Sequence, residues 1–309
     1  MSNQVCAVVV TFNRAPLLRE CLGALLRQSS KPDFILVVDN ASSDGTPDML
    51  QVMAAENPGL ILSERLPSNL GGAGGFSCGL ARALELGASW VWMMDDDAEP
   101  EPDALQMLMR ESPSPSNVYA SVPQRDGILA WPVTWELAGT GVFQVVHQVQ
   151  QLPARCSVRT HPFLGFLIHR DLVQRIGLPD AALFISADDI EYSLRARATG
   201  AKILLIRASR ISHPVSTARL HKLLGLSIPL ISLAPWRRYY DTRNRLLVAR
   251  RHHGWRFWTQ ALPGTLARML LIALYEPNKA KQLKAMAAGL WDGLRGVSGV
   301  RHTTWHLGN

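Results

Sequence analysis

Cysteine is scarce: the 309 residues hold four, Cys6, Cys21, Cys78 and Cys156, with no close pair of the kind that ligates zinc and too scattered for a disulfide framework. That scarcity fits a reducing, cytoplasmic setting. No apolar run reaches the roughly 18 residues needed to cross a bilayer. The opening "MSNQVCAVVVTFNR" has no basic lead, so it reads as a first strand and not as a signal peptide. Acids are nearly missing from the last third. Residues 205–309 hold 17 of the 32 Lys and Arg but only Asp241, Glu276 and Asp292 of the 25 acids, so this part carries +14 and the rest −7.

A basic tail with Trp236, Trp255, Trp258, Trp291 and Trp305 suits an anionic membrane surface or an anionic lipid-linked substrate. A solvated helical face over core tryptophans fits equally well. No recognition motif accompanies the charge, which argues against nucleic acid as a partner. The apolar stretches "LHKLLGLSIPLISLAPW" and "LARMLLIALYE" offer a homo-oligomer interface as the alternative use of this region.

The remaining 47% hydrophobic content supports a substantial core. "QVCAVVVTF" and "FILVVDN" are β-branched runs on either side of a helical pattern from Ala15 to Gln28, a βαβ unit. "LILSERL" and "WVWMM" continue the strands, with helices between them. This alternation predicts an α/β fold with a mostly parallel sheet and ligands at the C-terminal strand ends. Residues 111–160 break the alternation and read as an insertion or a second sheet edge. "FLGFLIHRDLVQRIG" and "AKILLIRASRISHP" supply later strands, and the remainder reads as helical. We expect a catalytic domain over 1–214 and a basic helical region over 215–309.

The polar residues at strand ends carry the chemistry. In "WVWMMDDDAEPEPDAL" three carboxylates follow an apolar run. Read alone, the triplet is an acidic helix cap or a metal site in near-even measure. If it ends a strand, Asp95 and Asp97 share a side and Asp96 faces away; the cap reading is kept for Glu99 and Glu101. A phosphate-bound Mg²⁺ or Mn²⁺ needs one or two protein carboxylates, and His213 is a further candidate ligand, although a lone histidine is more often structural. "NLGGAGGF" matches neither a dinucleotide turn nor a lysine-bearing phosphate loop, so a plain glycine turn is its modest reading. "ADDIEYSLRA" sets Asp188, Asp189 and Glu191 at a helix start, as caps or as a general base. "RRYYDTRNR" can hold a pyrophosphate or solvate a helix.

Taken in order, "VVVTFNR", "VVDNASSDGT", "NLGGAGGF", "WMMDDDAEPEPDAL", "FLGFLIHRDLVQRIGLPD", "LFISADDIEYSLRARATG", "ISHP" and "YYDTRNR" resemble the family 2 inverting glycosyltransferases of the GT-A fold over roughly residues 5–250. Within that family the motifs look most like bacterial galactofuranosyltransferases, with rhamnosyltransferases as near neighbours. The resemblance implies a GT-A Rossmann-like sheet flanked by helices, a nucleotide-sugar donor such as UDP-galactofuranose, and a divalent metal, Mn²⁺ or Mg²⁺. It also implies a glycan or polyprenyl-linked glycan acceptor and work on the inner face of the plasma membrane. Carried residue by residue, Thr11, Asn13, Arg14, Asp39 and Asn40 would line the nucleotide pocket. Asn69, Gly71 and Gly72 would lie beneath ribose and diphosphate, with Asp95 and Asp96 on the nucleotide. Asp95, Asp97 and His213 would hold the metal, and Asp189 would be the catalytic base, with Asp188 and Glu191 beside it.

Trp131 and Trp135 are offered as an acceptor platform without a motif to anchor them. Two departures stand out. Ser77 and Cys78 occupy the place where relatives are expected to have a basic residue, leaving Arg14 or the Arg243 region to neutralise a diphosphate. The Trp-rich acceptor motif of galactan polymerases is missing from "HPFLGFLIHR", which favours addition of one or a few sugars. A dTDP-rhamnose-dependent transferase and a non-catalytic nucleotide-sugar-binding or membrane scaffold are the competing readings.

Overall fold

The computed structural model describes residues 4–136, 143–216, 219–223 and 226–308. Part of the expected 111–160 insertion, residues 137–142, and residues 224 and 225 of the expected oligomer segment lie outside the described residues. The chain divides into two compact units, Met1–Pro179 with Tyr192–Val215, and Asp180–Glu191 with Ser216–Asn309. Residues 180–191, expected in the N-terminal domain, thus group with the C-terminal segment.

The first unit opens with Val5–Thr11 (β1), Ala15–Leu26 (α1), Phe34–Asp39 (β2), Thr46–Glu56 (α2), Ile61–Arg65 (β3), Gly71–Glu85 (α3) and Trp90–Asp95 (β4). These strands lie in the order β3-β2-β1-β4, all parallel. Both β1 and β2 are buried at every position, which is why their sequences run apolar without alternation. Val5, Ala7 and Val9 pack on one face with Leu18, Cys21, Leu22 and Leu25 of α1. Cys6, Val8 and Val10 pack on the other with Phe76 and Leu80 of α3. A Cβ at Gly75 would stand 2.5 Å from Val10 Cγ1, and one at Gly79 would stand 2.6 Å from Val8 Cγ1. Two glycines of α3, one turn apart, therefore seat the helix on the sheet.

The chain continues through Glu99–Pro100 (β5), Ala104–Arg110 (α4), Val118–Arg125 (β6), Ile128–Glu136 (β7), Phe143–Gln148 (β8), Arg155–Val158 (β9), Leu164–His169 (β10), Arg170–Ile176 (α5), Asp188–Ala198 (α6) and Ile203–Ser212 (β11). The sheet extends from β4 as β10-β6-β11-β9-β7-β8. Here only β11 and β6 run parallel; every other recorded pair is antiparallel. The mostly parallel expectation holds for the first four strands, and the 111–160 segment is the antiparallel extension. The cap reading of Glu99 and Glu101 fails. Glu99 pairs with Ser212 in β5, and the Glu101 carboxylate accepts from Gln124 Nε2 at 2.9 Å.

In the second unit, a hairpin of Arg219–Leu223 (β12) and Leu226–Leu230 (β13) interrupts the segment expected to be wholly helical. Pro235–His252 (α7), a π-helical turn at Phe257–Ala261, Leu262–Tyr275 (α8) and Lys279–Arg295 (α9) follow. The Asp292 carboxylate, almost fully buried, accepts from Tyr239 Oη at 2.7 Å, Trp305 Nε1 at 2.9 Å and Arg301 Nε at 3.1 Å. This one acceptor ties α7, α9 and the final residues together.

Candidate active site

At the β4 end the strand stops at Asp95 and the chain turns, so side alternation does not extend through the triplet. Asp96 is buried and accepts from Thr11 Oγ1 at 2.7 Å and from Arg14 Nη1 at 3.1 Å. The same Arg14 nitrogen reaches Asp97 Oδ2 at 3.2 Å. The other Asp97 oxygen lies 3.5 Å from His213 Nε2, just beyond β11. His213 is oriented by its Nδ1, 2.8 Å from Pro214 O, and by Trp131, whose ring centroid lies 5.0 Å away. Trp135 packs instead against the apolar core.

Burial raises the Asp96 carboxyl above its ordinary value, with Thr11 and Arg14 pulling it back. Burial works the same way on Asp97, but the His213 hydrogen bond and the Arg14 charge outweigh it and hold that carboxyl below the ordinary value. Asp97 thus stays ionised beside a histidine and a guanidinium.

The neighbouring strand ends form a second polar network. Asn40 donates its backbone N–H to Thr11 O at 3.0 Å and its side-chain N–H to Gly71 O at 3.2 Å, and its Oδ1 accepts from Leu70 N at 3.2 Å. Asn69 Oδ1 accepts from Gly71 N at 2.8 Å. Gly71 sits at φ +72°, a conformation that disfavours a side chain, and a Cβ at Gly72 would meet nothing within 4 Å. "NLGGAGGF" is therefore a helix start with divided labour: Gly71 is buried and makes the left-handed turn, Gly72 has open space beside it, and Gly75 packs. Asn13, exposed at φ +54°, accepts from Ser43 N at 2.7 Å, and its own N–H reaches Ser42 Oγ at 2.9 Å. Asp39 Oδ1 takes Ser42 N at 2.9 Å, and Arg65 Nε stands 3.8 Å from the buried Asp39 Oδ2. Arg65, at the end of β3, escaped the sequence reading because nothing in "SER" marks it.

Among the described residues no three His, Cys, Asp or Glu side chains converge as a metal cage. The fit is instead a two-point one. Asp97 and His213 offer one oxygen and one nitrogen, and an ion held also by substrate phosphates needs no more from the protein. Asp95 ends the same strand.

The remaining expected residues lie in the second unit. Asp188 is buried and Asp189 half-buried at the start of α6. Burial pushes both carboxyls up towards neutrality; Asp189 raises Asp188 further, and the Arg245 charge draws Asp189 down. Arg245 is itself held by Asp241 at 2.7 Å, and the Glu191 carboxylate lies 3.3 Å from His252 Nε2. Before these acids the backbone is strained: Phe184, Ser186 and Ala187 all have positive φ, at 66°, 71° and 63°. Each such residue costs on the order of 1–3 kcal/mol and persists only where its surroundings fix it. The Arg243 region does not serve a diphosphate. Arg243 is fully buried, with Nη2 donating to Leu183 O at 3.1 Å and Nη1 donating to Gly299 O.

An α/β unit whose polar strand ends gather an acidic turn and a histidine is the frame of the site, and comparison with known proteins gives its class, a GT-A-like glycosyltransferase. The model of the family Glycosyl transferase family 2 matches residues 6–156. The galactofuranosyltransferase GlfT1 of Mycolicibacterium smegmatis is 33% identical over 236 residues, covering 72% of this chain and 74% of that protein. The dTDP-rhamnosyl transferase RfbF of Shigella flexneri is 27% identical over 305 residues, 97% and 98% of the two chains. The structure of GalNAc-T7 with UDP, GalNAc and Mn²⁺ superposes with a TM-score of 0.60 at 15% identity over 93% of this chain, which spans 55% of that one. The chain belongs to glycosyl transferase family 2, whose members invert the anomeric centre, and it is a glycosyltransferase.

Proposed function

We propose that the protein transfers galactofuranose from UDP-galactofuranose to a cell-surface or lipid-linked glycan with the help of Mn²⁺ or Mg²⁺. The observation that carries the metal and donor part is the Asp97–His213 pair beside the Thr11–Arg14–Asp96 network. The sugar rests on the 33% identity to a galactofuranosyltransferase.

In this reading Thr11, Asn13, Arg14, Asp39 and Asn40 receive the nucleotide, and Asn69, Gly71 and Gly72 leave room for ribose and diphosphate, with Asp95 and Asp96 on the nucleotide side. Asp97 and His213 would hold the divalent ion, with Asp95 at the end of β4 as a further candidate ligand, and the ion when bound would offset the charge growing on the departing diphosphate. Asp189 accepts the proton of the acceptor hydroxyl as its oxygen forms the new bond to the anomeric carbon and the bond to UDP breaks. The raised carboxyl suits a base that must release its proton again near neutral pH. Asp188 and Glu191 flank it, and Glu191 is steadied by His252.

A dTDP-rhamnose donor is the second reading, favoured by a match that runs the full length of the rhamnosyltransferase RfbF. Incubation with a panel of nucleotide sugars and Mn²⁺ separates the two. Consumption of UDP-galactofuranose alone supports the first, and consumption of dTDP-rhamnose alone rejects it. Binding of UDP without any transfer would support the scaffold reading.

The second unit also has a face suited to a lipid surface. Trp255, Trp258, Leu266, Leu270 and Leu274 are between 49% and 69% exposed, and within α8 the four-residue steps keep the three leucines on one side. Exposed Arg250, Arg251, Arg256, Lys279 and Lys281 lie next to these residues in the chain, a mix of basic and apolar groups that suits an anionic bilayer. Among the described residues no helix is long and apolar enough to cross a membrane. Flotation with phosphatidylglycerol vesicles but not with phosphatidylcholine vesicles is expected, and Leu270→Asp should abolish it. Equal recovery with both lipids, or concentration-dependent self-association lost in the same variant, would replace the membrane with another copy of the chain.

A further inference from the structure

The segment leading into α6 is bent against backbone preference. Phe184 makes a tight turn in which Ile185 N donates to Leu183 O at 2.8 Å, and left-handed Ser186 and Ala187 follow directly before Asp188. No glycine lies between 178 and 199 to ease this path. Something else must hold it.

Two consecutive side chains of α7 do. Asn244 Nδ2 lies 2.9 Å from Leu183 O, 2.8 Å from Ile185 O and 2.8 Å from Ser186 O. Its two N–H groups are shared among three carbonyls. The orientation of that amide is fixed in turn, because Asn244 Oδ1 accepts from Arg243 Nε at 2.8 Å. Arg243 donates through Nη2 to Leu183 O at 3.1 Å and lies over the rings of Tyr239 and Tyr240, 5.3 and 4.7 Å from their centroids. From the other side, Gly299 N donates to Ala182 O at 2.7 Å, and the Phe184 ring packs 5.0 Å from Tyr240. Both Arg243 and Asn244 are fully buried, so neither is available to a substrate. The Ala187 carbonyl begins α6 by accepting Glu191 N at 2.9 Å.

We propose that Arg243 and Asn244 are positioning residues: they clamp the carbonyls of 182–186 so that α6 starts in the one direction that presents the Asp188–Asp189 carboxylates for proton transfer. The inference rests on the reading of Asp189 as base. The clamp replaces the glycines that would otherwise permit this backbone, and does so rigidly. Glycines would allow many directions; a buried amide and a guanidinium fork fix one.

The test uses Asn244→Asp, which keeps the shape but presents oxygen to three carbonyls, together with Asn244→Ala and the milder Arg243→Lys. With UDP-galactofuranose, Mn²⁺ and a short lipid-linked glycan acceptor, kcat should fall about 100-fold in Asn244→Asp and about tenfold in Arg243→Lys. The KM for donor should stay within about twofold in both, with kcat expressed per folded, UDP-binding protein counted by calorimetry, because loss of folded protein alone also lowers the apparent kcat at constant KM. In Asn244→Ala the acidic limb of kcat should move to lower pH, because a loosened loop returns the carboxyls to water beside Arg245, Asp241 and the His252–Glu191 pair. Where Asn244→Asp does not fold, Asn244→Ala and Arg243→Lys decide. Unchanged kcat in folded variants overturns the clamp, as does a fall in kcat with the pH limb unmoved. Asp189→Asn run in parallel separates the failures: if it keeps near-normal turnover, the base assignment fails, whatever the clamp variants do.

Discussion

The two acidic groups of this molecule are held by different means. Asp95 ends a central strand and Asp96 and Asp97 form the turn after it, held by Thr11, Arg14 and His213 at or just beyond other strand ends of the same sheet. Asp188 and Asp189 follow a strained turn, steadied by side chains about 60 positions further along the chain. In the first group strands bring the holding side chains together around the turn; in the second a buried polar clamp holds the backbone itself.

The sharpest break in that comparison is Asp189→Asn. Removal of a general base should lower turnover by about 10²–10⁴-fold with UDP binding kept. Calorimetry with UDP alongside steady-state rates checks this, and near-normal turnover would remove Asp189 from the chemistry. Next in size are Asp97→Ala and His213→Ala. If these two side chains hold the ion as proposed, either variant should lower kcat/KM by about 10²–10³-fold and weaken Mn²⁺ binding measured in the presence of UDP. If Mn²⁺ titrates both variants like the parent, the two-point site is not where the ion sits.

The first group was largely legible in the sequence, and the reason is physical. Parallel strands buried on both faces leave unbroken apolar runs, so each polar residue that follows marks a strand end, as Thr11, Asp39 and Asp95 do. The clamp was not legible. "RRYYDTRNR" looks like a cationic surface, and only the fold shows that Arg243 points inward at carbonyls. The hairpin of β12 and β13 was also missed, because its leucine spacing imitates a helix. The glycine motif was read only as a turn: open space beside Gly72 fits that reading, but the packing role of Gly75 depends on Val10 lying beneath it.

That division of glycines gives a smaller effect. Gly75→Ala forces a methyl onto Val10 Cγ1 at 2.5 Å and should lower stability by about 1–3 kcal/mol, seen as an earlier thermal midpoint. Gly72→Ala meets nothing within 4 Å and should leave stability equal or slightly higher, with UDP affinity falling if the nucleotide approaches this backbone. Equal midpoints for the two variants would contradict the packing role, and unchanged UDP affinity in Gly72→Ala would take Gly72 out of the donor site.

The smallest expected effect concerns Asp188, which burial and the neighbouring Asp189 charge hold well above the ordinary aspartate range. A carboxyl whose folded value is raised favours the folded state only while it is protonated. Its contribution is present below its unfolded value of about 4 and is lost as pH rises through the folded value. At neutral pH the ionised carboxylate therefore works against folding, and Asp188→Asn should relieve it. The variant and the parent are expected to melt alike near pH 4. By pH 8 the variant should be more stable by on the order of 1 kcal/mol, a few degrees in Tm. A variant that melts lower at both ends would show that the Asp188 carboxylate is a net structural acceptor, and the cost of its burial would then have to be assigned to Asp189.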